Sequence, residues 1–311
     1  MENAYKIKTV HLFYNPKSGK KQTDLVDLIQ EKLIDKGIAA KDISVIKPAT
    51  PKECFALAKK ASQEQVDLII PLGGDGTLNK VIGGAYEGGN NSLIGLVPSG
   101  SVNNFAKALG IPLELEAAID VIFNGHVKPI DICKANNHYM ISSLTLGLLA
   151  DIAANVTSEE KRKFGPLVFL KDSWRILRRN RTYTIGLKHD DSISVIKTKF
   201  LLITMTNTIA GFPSFSPDAL VDDGYMQVYT MKKLHFWKFL CHIHEFKQGD
   251  FSQAEEIVHF KTKSLELNAV KPGRSANPRT RIDGDKCDLL PVSLEVIRQA
   301  ISIIVPKENL T

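Results

Sequence analysis

The stretch that decides the fold is Gly73-Gly74-Asp75-Gly76-Thr77-Leu78-Asn79, which directly follows a nearly continuous apolar run at 66–72. Such a run is typical of a parallel strand that is buried on both faces. The glycines let the backbone approach a ligand closely, and a helix that starts near Thr77 would point its unpaired N–H groups at the loop. The stretch therefore predicts a phosphate-binding turn between a strand and a helix.

Asp75 complicates this interpretation, because its carboxylate would repel a bare phosphate. It predicts a cation or a polarised water between the two groups. A tight turn in which Asp75 only caps the helix is the alternative. The chain contains neither a GxxxxGK[ST] string nor a GxGxxG string, which excludes the Walker-type loop and the dinucleotide fingerprint.

Two further loops follow predicted strands in the same way. Asn15-Pro16-Lys17-Ser18-Gly19-Lys20 follows a strand at 10–14, and the loop at 98–105 follows a strand at 93–97. Parallel sheets bind ligands outside the carboxyl ends of their strands. We therefore expect the three loops to converge on one nucleotide.

The chain alternates strand and helix patterns up to about residue 128, which predicts a three-layer α/β domain with a parallel sheet at 1–128. Beyond it, short strand-like segments between turns predict an antiparallel β-sandwich at 129–299, with 300–311 returning to the first domain. The predicted helices are 23–36, one that starts at Pro51, 77–86 and 114–123. The further predicted strands are 43–46, 139–147, 182–187, 194–206, 226–231, 257–267, 280–282 and 292–296.

Composition sets broad limits on this chain of 311 residues. With 43% hydrophobic and 24% charged residues it can bury a core, and its net charge of +6 suits nucleotides or an anionic surface. The four cysteines form no CxxC pair, so we expect neither a disulfide framework nor a zinc site. No secretory signal or membrane-spanning run is visible, which predicts a cytoplasmic protein. We expect no nucleic-acid partner.

Five elements, in this order along the chain, carry a resemblance to a known family. They are NPKSG at 15–19, GGDGTLN at 73–79, PSGSVNNFA at 98–106, PDALVDDGYMQV at 217–228 and IDGD at 282–285. Together they resemble the diacylglycerol kinase catalytic family, which includes sphingosine and ceramide kinases. GGDGT is shared with NAD kinases, but the first and third elements favour the lipid branch.

This resemblance implies an ATP-dependent lipid kinase of phospholipid metabolism, with its site between two domains and Asp283 as general base. It implies a structural Mg²⁺ bound by the Asp223 carboxylate and by main-chain oxygens of Leu220 and Tyr225. Asp75 and Asp285 are candidates for a catalytic Mg²⁺ network. The implied nucleotide-binding residues are Asn15, Pro16, Lys17, Ser18, Gly19, Thr50, Gly73, Gly74, Asp75, Gly76, Thr77, Leu78, Asn79 and Ser101.

The sequence departs from the family pattern at three positions. Ser101 replaces a threonine and keeps its hydroxyl, Asn104 replaces an aspartate, and Asp285 replaces a glutamate. The last two changes weaken the expected metal network. They keep open a nucleotide- or lipid-binding protein with weak or lost turnover, and a relative of NAD kinases is the other alternative.

A basic amphipathic segment at 165–181 carries Trp174 and several arginines. Such a segment predicts peripheral contact with an anionic inner membrane surface. The alternative is that its apolar stripe packs on the second domain while the basic face stays in water. The sequence does not decide whether the chain forms a homodimer.

Overall fold

The computed structural model describes residues 5–14, 21–100, 102–147, 182–190, 192–209, 216, 218–231, 257–270 and 278–307. Within these ranges the chain forms two units, one from residues of 1–130 and 299–311 and the other from residues of 131–298. The loop at 15–20, Ser101 and the basic segment at 165–181 lie outside the described residues. None of the described helices has both the length and the apolar composition that crossing a bilayer requires.

Strands and helices alternate in the first unit. Its elements are β1 (Val10–Tyr14), α1 (Lys21–Asp35), a 3-10 turn (Ala40–Asp42), β2 (Ile43–Ile46), α2 (Pro51–Gln63), β3 (Leu68–Gly73), α3 (Asp75–Glu87), β4 (Leu93–Ile94), β5 (Val97–Pro98), α4 (Asn104–Ala108), α5 (Leu115–Asn124) and the start of β6 (His126–Ala135). β1 lies between β2 and β3, and β3 also pairs with β4 and β5, all in parallel.

β3 is the centre of this unit, and each of its residues is buried. Leu68, Ile70 and Leu72 share a core cluster with residues of α1 and α5. Successive side chains of a strand point to opposite faces, so Ile69 is buried on the face of the sheet opposite α1 and α5. We assign α2 and α3, the other two long helices of this unit, to that face. A sheet covered by helices on both faces is the predicted three-layer arrangement.

The second unit is built of antiparallel strands. They are the end of β6, β7 (His138–Met140), β8 (Ser143–Gly147), β9 (Tyr183–His189), β10 (Ser192–Thr198), β11 (Phe200–Thr204), β12 (Met226–Met231), β13 (Ile257–Thr262), β14 (Ser264–Ala269), β15 (Arg279–Ile282), β16 (Asp285–Leu289) and the start of β17 (Val292–Val305). One sheet has the order β13-β12-β11-β8-β15-β16. The other includes β10, β9, β14 and β17 in that order.

The two sheets share one core. Leu144, Ile203 and Val228 of the first sheet belong to the same buried cluster as Leu187 and Leu265 of the second. This arrangement is a β-sandwich, which confirms the predicted fold class of an α/β domain followed by an all-β domain. β17 begins in the second unit and ends in the first, where Ile303 pairs in parallel with Ile94.

The predicted strand 139–147 is interrupted at 141–142, between β7 and β8, and two further predicted strands, 194–206 and 257–267, are each broken in the middle. The break at Lys199 separates β10 from β11, and the break at Lys263 separates β13 from β14, so that each pair of strands lies in different sheets. At both of these breaks a threonine hydroxyl accepts the N–H of the residue two positions later. The Thr198 hydroxyl accepts the Phe200 N–H (3.2 Å), and the Thr262 hydroxyl accepts the Ser264 N–H (3.3 Å). Each hydroxyl satisfies a backbone N–H at the point where the chain passes from one sheet to the other.

Strands β6 and β16 were not predicted from the sequence. β6 includes Pro129 and two lysines, and β16 has the sequence DKCDL, so neither shows the apolar alternation that identifies a strand. Their partners supply the hydrogen bonds that their composition does not suggest.

Gly84 generates a stability prediction, because α2 and α3 pack closely at this residue. A Cβ on Gly84 would meet the carbonyl oxygen of Phe55 and lie 2.9 Å from the Ala58 Cβ. Glycine to alanine normally favours a helix, but here we expect Gly84→Ala to lower the free energy of unfolding by about 1–3 kcal/mol. Urea denaturation measures this change.

Gly186→Ala is the matched control. Its Cβ would meet Val270 Cγ2 at 3.3 Å, at the end of a side chain that can move. We expect a change within about 0.5 kcal/mol. Equal effects of the two substitutions would contradict the close helix packing.

Candidate functional site

The parallel register of the first unit brings three strand ends to one edge. Tyr14 of β1 pairs with Leu72 of β3, and Gly73 of β3 pairs with Pro98 of β5. The loops that follow β3 and β5 touch, because a Cβ on Gly100 would lie 2.5 Å from the Gly74 Cα. Two of the three predicted phosphate loops are therefore adjacent, and the third begins after Tyr14 at the same edge.

The loop after β3 turns directly into α3. Gly74 is the N-cap, and its carbonyl oxygen accepts the N–H groups of Thr77 (2.9 Å) and Leu78 (3.1 Å). Gly73 leaves no room for a side chain, since a Cβ there would lie 2.5 Å from Thr77 Oγ1. The helix begins at Asp75, two residues before the predicted start. Its first N–H groups and its dipole favour an anion at this end.

Asp75 connects this loop to the loop after β5. Its Oδ2 accepts the N–H of Asn104 (3.2 Å), and its Oδ1 accepts the N–H of Phe105 (3.3 Å). The N-cap residue of α4, Asn103, makes no side-chain capping bond, so Asp75 caps α4 from a distance. Burial raises the pKa of Asp75, and the two N–H groups and Lys107 oppose that shift.

Asn103 shapes the second loop, and sequence analysis gave it no role. Its Oδ1 accepts the Gly100 N–H (2.9 Å), while its Nδ2 donates to the Gly100 carbonyl (3.0 Å). Its φ of 54° lies in the left-handed region, which asparagine tolerates better than most residues. An asparagine shortly after Pro98-Ser99-Gly100 was the available signal.

Three other predicted nucleotide-binding residues have local structural roles. The Thr50 hydroxyl caps α2 by accepting the Glu53 N–H (3.1 Å), while the Glu53 carboxylate accepts the N–H of Ala49 (2.7 Å), the residue before the N-cap. Leu78 and Asn79 are buried in α3. Their contact with a nucleotide stays a prediction.

Asp283, the predicted general base, lies on the turn between β15 and β16. Its Oδ1 accepts the N–H groups of Ser142 and Ser143 (both 2.9 Å), and its Oδ2 accepts that of Ile141 (3.0 Å). Its own N–H donates to the Ser143 carbonyl (2.8 Å), and its φ is 49°. The carboxylate is thus held rigidly and half-buried. Such a group can accept a hydroxyl proton.

A group of aspartates surrounds the predicted structural metal site. Asp223 Oδ1 accepts the Tyr225 N–H (2.9 Å), and Asp131 Oδ2 accepts the Gly224 N–H (2.6 Å). Burial raises the pKa of Asp223, with further contributions from Asp131 and Asp222. The Tyr225 N–H and Lys261 act in the opposite direction. Sequence analysis missed Asp131, which is buried in β6, a strand that the sequence did not predict.

These oxygen donors fit Mg²⁺. Hard divalent cations prefer carboxylate and carbonyl oxygens, and Asp131 and Asp222 add negative charge near Asp223 that a cation would stabilise. Whether Leu220 and Tyr225 supply main-chain oxygens stays a prediction. Asp75 belongs to the first unit and Asp285, which is exposed at the start of β16, to the second. Their shared metal network also stays a prediction.

Two family models match the chain. A model described as the diacylglycerol kinase catalytic domain matches residues 9–135, and one described as the YegS C-terminal NAD kinase beta sandwich-like domain matches residues 142–305. A diacylglycerol kinase of Staphylococcus epidermidis is 30% identical over 302 residues, which cover 97% of this chain and 93% of the relative. One from Bacillus subtilis is 29% identical over 306 residues, covering 97% and 98%.

Solved structures have the same fold. The structure of a protein from Bacillus anthracis str. Sterne superposes on this chain with a TM-score of 0.79 at 24% sequence identity. The match covers 98% of this chain and 100% of the Bacillus anthracis chain. A second structure, of a diacylglycerol kinase from the same organism, gives a TM-score of 0.71 at 20% sequence identity, covering 97% of this chain and 98% of the other chain.

The capping role of Asp75 can be tested by substitution. Asp75→Ala leaves the first N–H groups of α4 without their acceptor, so we expect the free energy of unfolding to fall by about 1–2 kcal/mol. Asp75→Asn keeps an acceptor oxygen and should cost less. Urea denaturation measures both changes.

Asp27→Ala is the control, since Asp27 is exposed on α1. Its effect should stay within about 0.5 kcal/mol. An Asp75→Ala variant as stable as this control would show that Asp75 does not support α4.

Proposed function

We propose that this chain, which belongs to the diacylglycerol kinase family, transfers the γ-phosphate of ATP to the hydroxyl of a lipid alcohol. Diacylglycerol, which would give phosphatidic acid, is the acceptor we propose first. The observation that carries the proposal is the similarity to curated diacylglycerol kinases along 97% of the chain.

The adjacent loops of the first unit support the nucleotide part of this proposal. The N-terminus of α3 offers N–H groups to phosphate oxygens, and the two loops meet closely at Gly74 and Gly100. We include the loop at 15–19, Thr50 and Ser101 in the binding site on the basis of the family match. Asp75 keeps the two described loops together, which positions their donors before ATP arrives.

Asp283 is our candidate for the general base. As the lipid hydroxyl oxygen bonds to the γ-phosphorus, the bond from that phosphorus to the ADP oxygen breaks, and the hydroxyl proton moves to Asp283. The N–H groups of Ile141, Ser142 and Ser143 hold the carboxylate in one orientation. Little reorganisation is then needed when the acceptor binds.

The residues that would hold Mg²⁺ are of two kinds. Asp223, with the main-chain oxygens of Leu220 and Tyr225, is proposed for a structural ion, and Asp75 and Asp285 for an ion near the phosphates. When bound there, Mg²⁺ neutralises charge on the transferred phosphoryl group.

NAD is the second candidate acceptor. The model that matches residues 142–305 is described as a NAD kinase sandwich-like domain. A nucleotide- or lipid-binding protein with weak turnover is a third candidate, because Asn104 and Asp285 depart from the family pattern.

One experiment separates these candidates. The protein is incubated with γ-labelled ATP, Mg²⁺ and either NAD or a panel of lipid alcohols, and the products are separated. Label in phosphatidic acid supports the proposal, and label in another lipid changes only the acceptor. Label in NAD alone, or bound ATP without any product, would overturn the lipid kinase assignment.

We also propose peripheral contact with an anionic membrane on its cytoplasmic side, through the basic segment at 165–181. Flotation of the protein with vesicles that contain or lack anionic lipid tests this contact. Binding that does not depend on lipid charge would refute it.

Asp283→Asn removes the proposed base while keeping the size of the side chain. We expect lipid phosphorylation to fall by about 10²–10⁴-fold, with ATP affinity nearly unchanged. Initial rates and ATP titration measure the two quantities.

Asp190→Asn is the matched control, since Asp190 has a similar φ of 48° on a hairpin turn. It should keep full activity. If Asp283→Asn turns over as fast as the control, Asp283 is not the base.

Asp223→Ala tests the structural ion. A ligand that binds only the folded chain raises the free energy of unfolding by RT ln(1 + [L]/Kd). This is about 2.7 kcal/mol when the free ligand concentration is a hundred times Kd. We expect Mg²⁺ to raise the melting temperature of the wild type but not of Asp223→Ala, which should also retain less metal and melt lower when Mg²⁺ is present.

Asp218→Ala changes an exposed aspartate of the same loop and serves as control. It should respond to Mg²⁺ as the wild type does. An unchanged melting curve and metal content in Asp223→Ala would argue against the site.

A further inference from the structure

Three potential metal ligands meet at one edge of the β-sandwich in the second unit. His138 begins β7, while Cys287 and Asp288 are neighbours on β16. One ligand atom of each side chain lies within 4.8 Å of the other two. β16 is the edge strand of the first sheet, and β7 forms a hairpin with β6 in the other sheet, so the group spans both sheets.

Asn136 holds Asp288 in place. Asn136 occupies the turn between β6 and β7 with a φ of 50°, and its Nδ2 donates to Asp288 Oδ2 (3.0 Å) and to the Pro291 carbonyl (3.3 Å). Its Oδ1 accepts the Ser293 N–H (3.0 Å), and its own N–H donates to the Ser293 carbonyl (3.0 Å). A carboxylate oriented by an outer hydrogen bond is a common feature of metal sites.

Side chains of β15 also hold the backbone of β16. The Arg279 Nη1 donates to the Cys287 carbonyl (2.8 Å), and the Thr280 hydroxyl donates to the Asp288 carbonyl (2.8 Å). Cys287 packs against the sandwich core on one side. The two residues that β16 contributes are therefore positioned before any ligand binds.

The distances suit a small tetrahedral ion. His138 Nε2 and Asp288 Oδ1 are 3.4 Å apart, and two nitrogen or oxygen ligands of a tetrahedral zinc lie about 3.3–3.5 Å from each other. The thiol needs only a modest movement to complete the set. Both side chains are 39% exposed, so an ion can enter from solvent.

We propose that His138, Cys287 and Asp288 bind one zinc-class divalent cation, with water as the fourth ligand. A thiolate, an imidazole and a carboxylate suit Zn²⁺ and similar borderline metals, whereas Mg²⁺ prefers oxygen ligands alone. This site is therefore distinct in chemistry from the aspartate group around Asp223. It does not depend on the proposed kinase reaction.

The ion would cross-link the two sheets of the sandwich. It joins the β6–β7 hairpin to β16, which starts two residues after Asp283. The β15–β16 hairpin lies at a sheet edge, where its outer strand, β16, pairs with no second strand among the residues that the structure describes. A metal bond at the far end of β16 would restrain the hairpin that carries Asp283. Its role is structural.

Metal binding by the full-length protein tests the proposal directly. Protein stripped with a chelator and dialysed is titrated with Zn²⁺ against a chromophoric competitor. We expect one Zn²⁺ per chain, and a loss of affinity of about tenfold or more in Cys287→Ser and in His138→Gln. Cys54→Ala and His126→Gln remove a thiol and an imidazole elsewhere and should bind like the wild type. Excess Mg²⁺ should not displace Zn²⁺.

Cobalt identifies the ligands. Co²⁺ in the wild type should give a thiolate-to-metal charge-transfer band in the near ultraviolet, and Cys287→Ser should lack it. Zn²⁺ should raise the melting temperature of the wild type but of neither variant. Circular dichroism checks that each variant is folded. If Cys287→Ser does not fold, the Zn²⁺ affinity of His138→Gln tests the site. Equal Zn²⁺ affinity in the wild type and the folded variants, or Co²⁺ binding without the thiolate band, would overturn the site.

Discussion

The hydrogen-bonded register of β3 with its parallel neighbours is the constraint on which the first unit depends. β3 is buried along its whole length, so each of its backbone groups needs a partner within the sheet. Asp67, just before β3, accepts the N–H groups of Lys8 (2.9 Å) and Thr9 (2.8 Å) and so ties the start of β1 to β3. With the register set at one end, the strand ends are level at the other. The loops after β3 and β5 then meet at this edge, where Asp75 holds them together.

Aspartates that accept backbone N–H groups are the second recurring device. Asp75 binds the start of α4, Asp131 binds Gly224, and Asp283 binds three successive residues from Ile141 to Ser143. Each carboxylate joins segments that are far apart in sequence. Charge-assisted bonds of this kind are stronger than neutral ones, and they leave a charged group at a defined place. The residues with proposed chemical roles are therefore also structural, which is why stability and activity have to be measured separately.

The sandwich depends on corners as much as on strands. Thr198 and Thr262 each satisfy an N–H at the point where a strand leaves one sheet for the other. Both sheets then contribute to a single apolar core. The group of His138, Cys287 and Asp288 lies at an open edge of this core, where the proposed ion would add a link that the hydrogen-bond ladder does not provide.

The sequence by itself determined the class of both domains, most strand and helix positions, and the glycine loop at 73–79, because periodicity and turn residues act over short distances. It did not reveal β6 and β16, because lysines, aspartates and a proline interrupt their apolar pattern. Only the tertiary structure decided that Asp75 caps α4, that Asp131 joins the aspartate group and that Asp283 is held by residues 141–143. It also brought two scattered residues, His138 and Cys287, into one site. These contacts join residues remote in sequence, and no local pattern encodes which remote residue a carboxylate or a thiol will meet.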